Sequence, residues 1–341
     1  MNEYDPLISI AMPVRNNGRT LDLAVRSMQK QTYENWELLL IDDGSTDDTA
    51  QRARRWAAAD SRIRVFVDGH GRGLPERLNQ AIGLSRGPFF ARMDGDDVAY
   101  PERLERQLEY LRSHPTVDLV GASVIVFADD GRALGQRACS ETHEEICARP
   151  SAGFALVHPT FFGRIEFFRK YEYRASAVRC EDQDLLLRSY TKPRAMLPWG
   201  MLKSQDQDLL VRSFKAARFA NVPEVLLGYR ESRLDWKKNL TSRKYVAISF
   251  FQNHWQDGHH VLAVRAVLGQ LFKSLVDLLA ISTGLNYQIL RHRARPITAG
   301  DRRRWAEVWT SLNDGLVPSR DGSHPVVEET CATGDDRCLA C

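Results

Sequence analysis

Three carboxylates crowd into Met93-Asp94-Gly95-Asp96-Asp97, directly after the apolar run Pro88-Phe89-Phe90-Ala91-Arg92. Acids gathered where a buried strand should end need a cation. A hard divalent ion takes oxygen ligands, keeps several waters and is usually completed by substrate phosphates, so this spacing suits a nucleotide-diphosphate site. A solvated Asp-Gly turn is the plain alternative. It loses ground because a second acidic turn, Ile41-Asp42-Asp43-Gly44-Ser45, follows another apolar run, Trp36 to Ile41.

Alternating strand and helix signals place these turns. Leu7 to Met12 is rich in strand formers, Leu21 to Gln31 has helical apolar spacing, and Trp36 to Ile41 is a second strand. Ser45-Thr46-Asp47-Asp48-Thr49 supplies capping residues for a helix through Ala59, before a third strand at Ile63 to Val67. Helix over 73–83, strand over 89–93, helix from Pro101 to Ser113 and strand over 117–127 continue the pattern. Repeats of about 30 residues in this order predict an α/β fold with a mostly parallel, Rossmann-like sheet and helices on both faces. Ligands of such sheets bind beyond the carboxyl ends of the strands. The loops at Pro13-Val14-Arg15-Asn16-Asn17, Asp42 to Ser45 and Asp94 to Asp96 should therefore open onto one crevice. A dinucleotide fingerprint is absent after the first strand, and Gly69-His70-Gly71-Arg72-Gly73 has the wrong glycine spacing for one; no Walker-type phosphate loop occurs.

Composition narrows the class. The chain has 341 residues, 43% of them hydrophobic, which is enough for a substantial core. A net charge of +3, from 47 basic and 44 acidic side chains, gives no reason to expect a nucleic-acid partner. The opening Met-Asn-Glu-Tyr-Asp-Pro lacks a signal-peptide core, so a cytoplasmic setting is expected. Six cysteines in a chain of this length make no disulfide framework, and Cys331, Cys338 and Cys341 lack a fourth metal ligand nearby.

The ordered motifs Ile10-Ala11-Met12-Pro13-Val14-Arg15-Asn16, Gln31-Thr32-Tyr33, Ile41-Asp42-Asp43-Gly44-Ser45-Thr46-Asp47, Ala91-Arg92-Met93-Asp94-Gly95-Asp96-Asp97, His158-Pro159-Thr160 and Glu181-Asp182 resemble glycosyltransferase family 2, over roughly residues 7 to 230. That resemblance implies the GT-A fold and inverting transfer of a sugar from a nucleotide diphosphate, UDP by preference, to a hydroxyl of a saccharide or glycolipid, as in polysaccharide or cell-envelope glycan synthesis. It implies Mg2+ or Mn2+ as cofactor. Pro13 and Arg15 would border the nucleotide on the first loop, Asp43 would accept a hydrogen bond from the base, and Arg72 would approach the diphosphate. Asp96 would coordinate the metal, with Asp94 a second ligand or a ribose contact, while Asp97 has the structural alternative of capping the helix after Tyr100-Pro101. The general base would be the aspartate of Glu181-Asp182, and His158 a wall of the acceptor site.

An internal repeat complicates that assignment, because Asp182-Gln183-Asp184-Leu185-Leu186 recurs at an offset of 24 residues as Asp206-Gln207-Asp208-Leu209-Leu210. The intact Glu181-Asp182 pair favours Asp182 as base, with Asp206 the runner-up. Misplacement of both copies would leave a sugar-nucleotide binder with little or no transferase activity; a related nucleotidyltransferase is the other alternative. The expected organisation is a GT-A domain over 1–230, with a nucleotide-binding half at 7–127 and an acceptor half at 128–230 that carries the duplicated insertion around 182–214. A helical region over 231–320 and a disordered tail over 321–341 follow. From Val264 to Ile281 the apolar residues fall on one helix face, and Arg291, His292, Arg293, Arg295, Arg302, Arg303 and Arg304 come soon after. Ordinary helix packing explains such a face; peripheral attachment to the inner face of a membrane is the sharper alternative.

Overall fold

The computed structural model describes residues 5–137, 139–148, 154–173, 209–210, 213–231, 240, 260–283, 295–314, 316–318 and 325–327. Strand β1 (Ile8–Val14) is buried at every position, as a strand covered on both faces must be. Helix α1 (Leu21–Gln29) lays Leu21, Ala24, Val25 and Met28 against the sheet, the stripe its sequence spacing predicts. The same logic repeats through β2 (Trp36–Asp42), α2 (Thr49–Ala59), β3 (Ile63–Val67), α3 (Leu74–Leu84) and β4 (Phe89–Arg92). Beyond it come β5 (Val98–Ala99), α4 (Arg103–Ser113), β6 (Leu119–Phe127), β7 (Ala133–Arg137), a short helix α5 (His143–Ile146), β8 (Phe162–Arg164), α6 (Ile165–Tyr171) and β9 (Phe219–Arg230).

The main sheet runs β3-β2-β1-β4-β8-β6-β9-β5, with β7 paired to β6. The first four strands are parallel, joined by helical crossovers. Strand β8 enters antiparallel to both β4 and β6, so the second half of the sheet is mixed. The chain builds outward from β1 through β2 to β3, then returns to place β4 on the other side of β1. That reversal is a topological switch point, the region beyond whose strand ends ligands of such sheets bind.

Two later pairings matter for the site. β5 pairs antiparallel with β9 through Val98–Gly228 and Ala99–Leu227, which brings the end of β9 beside the acidic turn. Helix α8 (Ala299–Asn313), following helix α7 (His260–Ser282), buries Trp305, Val308 and Leu312 against Val98, Tyr100, Ile125, Phe127 and Val225. Trp305 Nε1 donates to the Gly131 carbonyl at 2.7 Å. Glycine at 228 makes room for this ring, since a Cβ there would stand 2.3 Å from it. Thr298 caps α8 by accepting from the Asp301 N–H.

Helix α7 is different. Val261, Val264, Leu268, Leu271, Phe272, Leu275, Leu278 and Leu279 are exposed along it. Among the described residues no helix is long and apolar enough to cross a membrane. A two-stranded ladder pairs Leu316–Pro318 with Pro325–Val327.

Candidate functional site

The loops after β1, β2 and β4 are tied to one another by hydrogen bonds. Asn16, in the left-handed region that asparagine tolerates, donates its N–H to Ser45 Oγ at 3.0 Å and accepts from the Thr46 N–H at 2.8 Å. Gly18 N–H reaches Asp47 at 3.0 Å. On the other side Thr20 Oγ1 donates to the Gly95 carbonyl at 2.8 Å. A Cβ on residue 95 would lie 2.6 Å from Val14 Cγ1, so only glycine lets the acidic turn close on the first loop. The convergence expected from the strand pattern is thus built from named contacts.

Asp43, directly after β2, is 6% exposed. Its Oδ1 accepts from the Arg72 N–H at 2.7 Å, the Gly73 N–H at 3.0 Å and Arg77 Nε at 3.0 Å. Its Oδ2 is less engaged, with Gly73 N–H at 3.1 Å and Arg15 Nη1 at 3.7 Å. Arg77 is nearly fully buried and also bridges both oxygens of Asp68, at 3.0 and 2.6 Å. Hydrogen bonds from Arg77 hold the Asp68 carboxyl well below the usual carboxylate range. The glycine-rich turn between β3 and α3 is therefore anchored to Asp43 at its end and to Arg77 from beneath.

The acidic turn follows β4. One oxygen from each of Asp94, Asp96 and Asp97 lies within 4.8 Å of the others. Asp97 is 1% exposed; its Oδ1 accepts the Arg230 N–H at 2.9 Å, while Oδ2 has no hydrogen-bond partner among the described residues. Burial, and then the charge of Asp94, push the Asp96 carboxyl up to about 6. Burial followed by the charges of Asp96 and Asp94 pushes Asp97 well up too. An orphaned buried carboxylate oxygen within a three-acid cluster fits a hard divalent ion.

Three arginines support the turn. Arg92, 3% exposed at the end of β4, holds Asp94 with both terminal nitrogens, at 2.6 and 2.5 Å. Arg103 is fully buried and donates to the carbonyls of Arg92 and Pro159 at 2.6 and 2.8 Å. Arg230 Nε donates to the Asp96 carbonyl at 2.7 Å, with its guanidinium over the Phe127 ring.

The family model described as Glycosyl transferase family 2 matches residues 9–171, a span that includes all three loops. The chain is 35% identical over 189 residues to the putative glycosyltransferase EpsE of Bacillus subtilis, covering 54% of this chain and 67% of that protein. The chain belongs to glycosyl transferase family 2. It is also 36% identical over 111 residues to the Escherichia coli UDP-Glc:alpha-D-GlcNAc-diphosphoundecaprenol beta-1,3-glucosyltransferase WfgD, covering 33% of this chain but only 42% of WfgD. Among solved structures, the mannosyltransferase PcManGT of Pyrobaculum calidifontis, in complex with GDP-Man and Mn2+, superposes with a TM-score of 0.50 at 14% identity, covering 91% and 88% of the two chains. That likeness shows the GT-A fold.

Within this family-2 fold the remaining expected residues fall as follows. Pro13 is not on the loop: β1 pairs with β2 as far as Val14–Asp42, so Pro13 is a buried strand residue and the loop begins at Arg15. Arg72 turns its side chain to Asp68 at 3.1 Å and presents its N–H to Asp43. Asp97 does not cap the helix after Pro101; its carboxylate takes the N–H at the end of β9, and the residue preceding α4 is Glu102. His158, in the turn before β8, shares a hydrogen bond between Nε2 and the Tyr173 hydroxyl at 3.1 Å and packs edge-on to Phe161. Desolvation and the Arg92 charge hold its imidazole neutral, well below the ordinary histidine value. Glu181, Asp182 and Asp206, the first copy of the repeat and Arg291 to Arg293 lie outside the described residues. Of the second copy, Leu209, Leu210 and Ser213 are described and fully buried, and Phe214 packs against Phe154. Sequence reasoning passed over Arg77, Arg92, Arg103 and Arg230. A charged residue inside the buried run before the acids was the one available signal, and it pointed to Arg92.

Proposed function

We propose that this family-2 protein transfers a sugar from a nucleotide diphosphate, UDP by preference, to a hydroxyl of a saccharide or glycolipid acceptor, with inversion and with Mg2+ or Mn2+ required. One observation supports the reading: Asp43 and the Asp94-Asp96-Asp97 cluster stand on loops that each bond to the same first loop. Asp43 Oδ2, the less engaged oxygen, is the acceptor for a nucleobase N–H, a charge-assisted bond. Arg15, 3.7 Å from Asp43, borders the nucleotide, and Arg72 approaches the diphosphate. Asp96 with Asp94 would hold a divalent ion, which would supply positive charge against the departing diphosphate. The cofactor of PcManGT and the polyprenyl-diphosphate acceptor in the name of WfgD support these choices of metal and acceptor class.

The general base comes from one copy of the repeat. The intact Glu181-Asp182 pair argues for Asp182. Asp206, at the matching position of the second copy, is the runner-up. Thermal melts across a panel of nucleotide sugars, with and without Mn2+, identify the donor by the largest stabilisation. Transfer assays on Asp182→Asn and Asp206→Asn then name the base, since only one should abolish turnover while leaving donor binding intact. Donor binding unaffected by Asp96→Ala would sink the metal reading.

The exposed apolar residues of α7 support peripheral membrane attachment as part of this function, with Arg302 and Arg303 available to anionic headgroups. Cosedimentation with anionic vesicles, lost on Leu271→Glu with Leu275→Glu, is expected. A stable dimer indifferent to vesicles would show instead that a second copy covers the helix.

A further inference from the structure

Arg92 ends β4 and Asp94 follows two residues later, and their side chains meet where the acidic turn begins. The pairing is complete on the acid's side, with both Asp94 oxygens taken at 2.5 and 2.6 Å. It is incomplete on the arginine's, because Nε is buried without a partner among the described residues. A buried ion pair of this kind is weak evidence for stability, since an apolar residue of similar volume often serves as well. Its effect falls instead on the neighbouring charges. Three carboxylates within 4.8 Å would grip a bare divalent ion strongly. Arg92 on Asp94, Arg230 on the Asp96 carbonyl and Arg103 behind β4 offset that charge from inside the protein.

We infer that Arg92 is a positioning residue that sets the aim and the net charge of the acidic turn, keeping its affinity for a free divalent ion low so that firm binding requires a diphosphate. The inference rests on the metal reading above. By donating to both oxygens of Asp94, Arg92 tempers the charge that this acid can offer an ion shared with Asp96. An ion bound to this compensated turn keeps most of its positive charge for the phosphates. Metal and nucleotide then bind with strong positive coupling, which linkage makes reciprocal.

The test is a titration with Mn2+ alone, reading free ion by electron paramagnetic resonance, then repeated with UDP and with GDP. Wild type is expected to bind Mn2+ weakly, and at least tenfold more tightly with one of the two nucleotides. Arg92→Met should bind Mn2+ alone at least tenfold more tightly than wild type and lose most of the coupling. Arg92→Lys, which keeps the charge, should stay near wild type without nucleotide. A purely structural arginine would not raise metal affinity when removed. Arg92→Met binding Mn2+ no better than wild type overturns the inference, provided its melt shows it folded. Wild type without coupling to either nucleotide overturns it whatever the variant does. No Mn2+ binding by wild type under any condition defeats the metal reading itself, a distinct outcome.

Discussion

Replacing Arg77 by methionine should loosen the nucleotide crevice from beneath. The guanidinium is 1% exposed, with Nε 3.0 Å from Asp43 Oδ1 and its terminal nitrogens 3.0 and 2.6 Å from the oxygens of Asp68. Methionine replaces much of the apolar stem and none of the donors. Asp68 lies open to water and will re-solvate. Asp43 cannot, because it is 6% exposed and its other cation, Arg15, stands 3.7 Å away on a mostly exposed side chain. A hydrogen bond to a charged group contributes about 1.5–3 kcal/mol, and two N–H donors remain, so the loss should be about 2 kcal/mol. In a domain of this size that lowers the melting temperature by about 4–8 °C. A second readout follows from the turn over residues 68–73, which loses its anchor and with it the arrangement around Asp43. Calorimetric titration with UDP or GDP in the presence of Mn2+ should show about tenfold weaker binding, equivalent to about 1.4 kcal/mol. Arg77→Lys should recover part of the stability and little of the affinity, since one ammonium cannot span both acids. Unchanged melting and unchanged nucleotide affinity in Arg77→Met would refute the clamp.

Gly95→Ala should nearly abolish metal binding while costing about 1–3 kcal/mol of stability, because the new methyl enters the space of Val14 Cγ1 at 2.6 Å; Mn2+ titration and a denaturant melt check both. Trp305→Ala should cost about 3–5 kcal/mol by opening a cavity beside Tyr100 and Phe127, and a variant melting with wild type would show that α8 contributes nothing to the sheet. Asp96 gives a pH dependence whose sign follows from burial and the Asp94 charge, which raise its folded value to about 6, above its unfolded value near 4. Between those values the folded state holds a proton that the unfolded state has lost, so metal-free stability should fall as pH rises from about 4 to about 6. Metal competes with that proton, so stabilisation by Mn2+ should be small at pH 5 and full above about 7; equal stabilisation at both would exclude Asp96 as a ligand.

What the sequence made legible was local. Asp43, Asp94 and Asp96 could be placed because each follows an apolar run whose length and β-rich composition already imply a strand, and strand ends in an open α/β sheet share one edge. Pro13 was expected on the first loop, but β1 continues through it since the β2 pairing reaches Asp42. Arg92 apart, the arginines were illegible for a different reason. On helices and strand ends they read as solvated side chains, and their burial depends on pairings distant in sequence. Arg230 meets Asp96 and Asp97 because β5 pairs with β9, a contact that closes 133 residues of chain between Asp97 Oδ1 and the Arg230 N–H. The capping alternative for Asp97 fails for the same reason: its donor lies on that distant strand and not on the nearby helix. A buried carboxylate must find a cation or a hydrogen-bond donor, so three acids in five residues already posed the question of which distant groups compensate them. The answer required the register of β9, and it shows that the turn is charge-balanced by arginines from three separate elements.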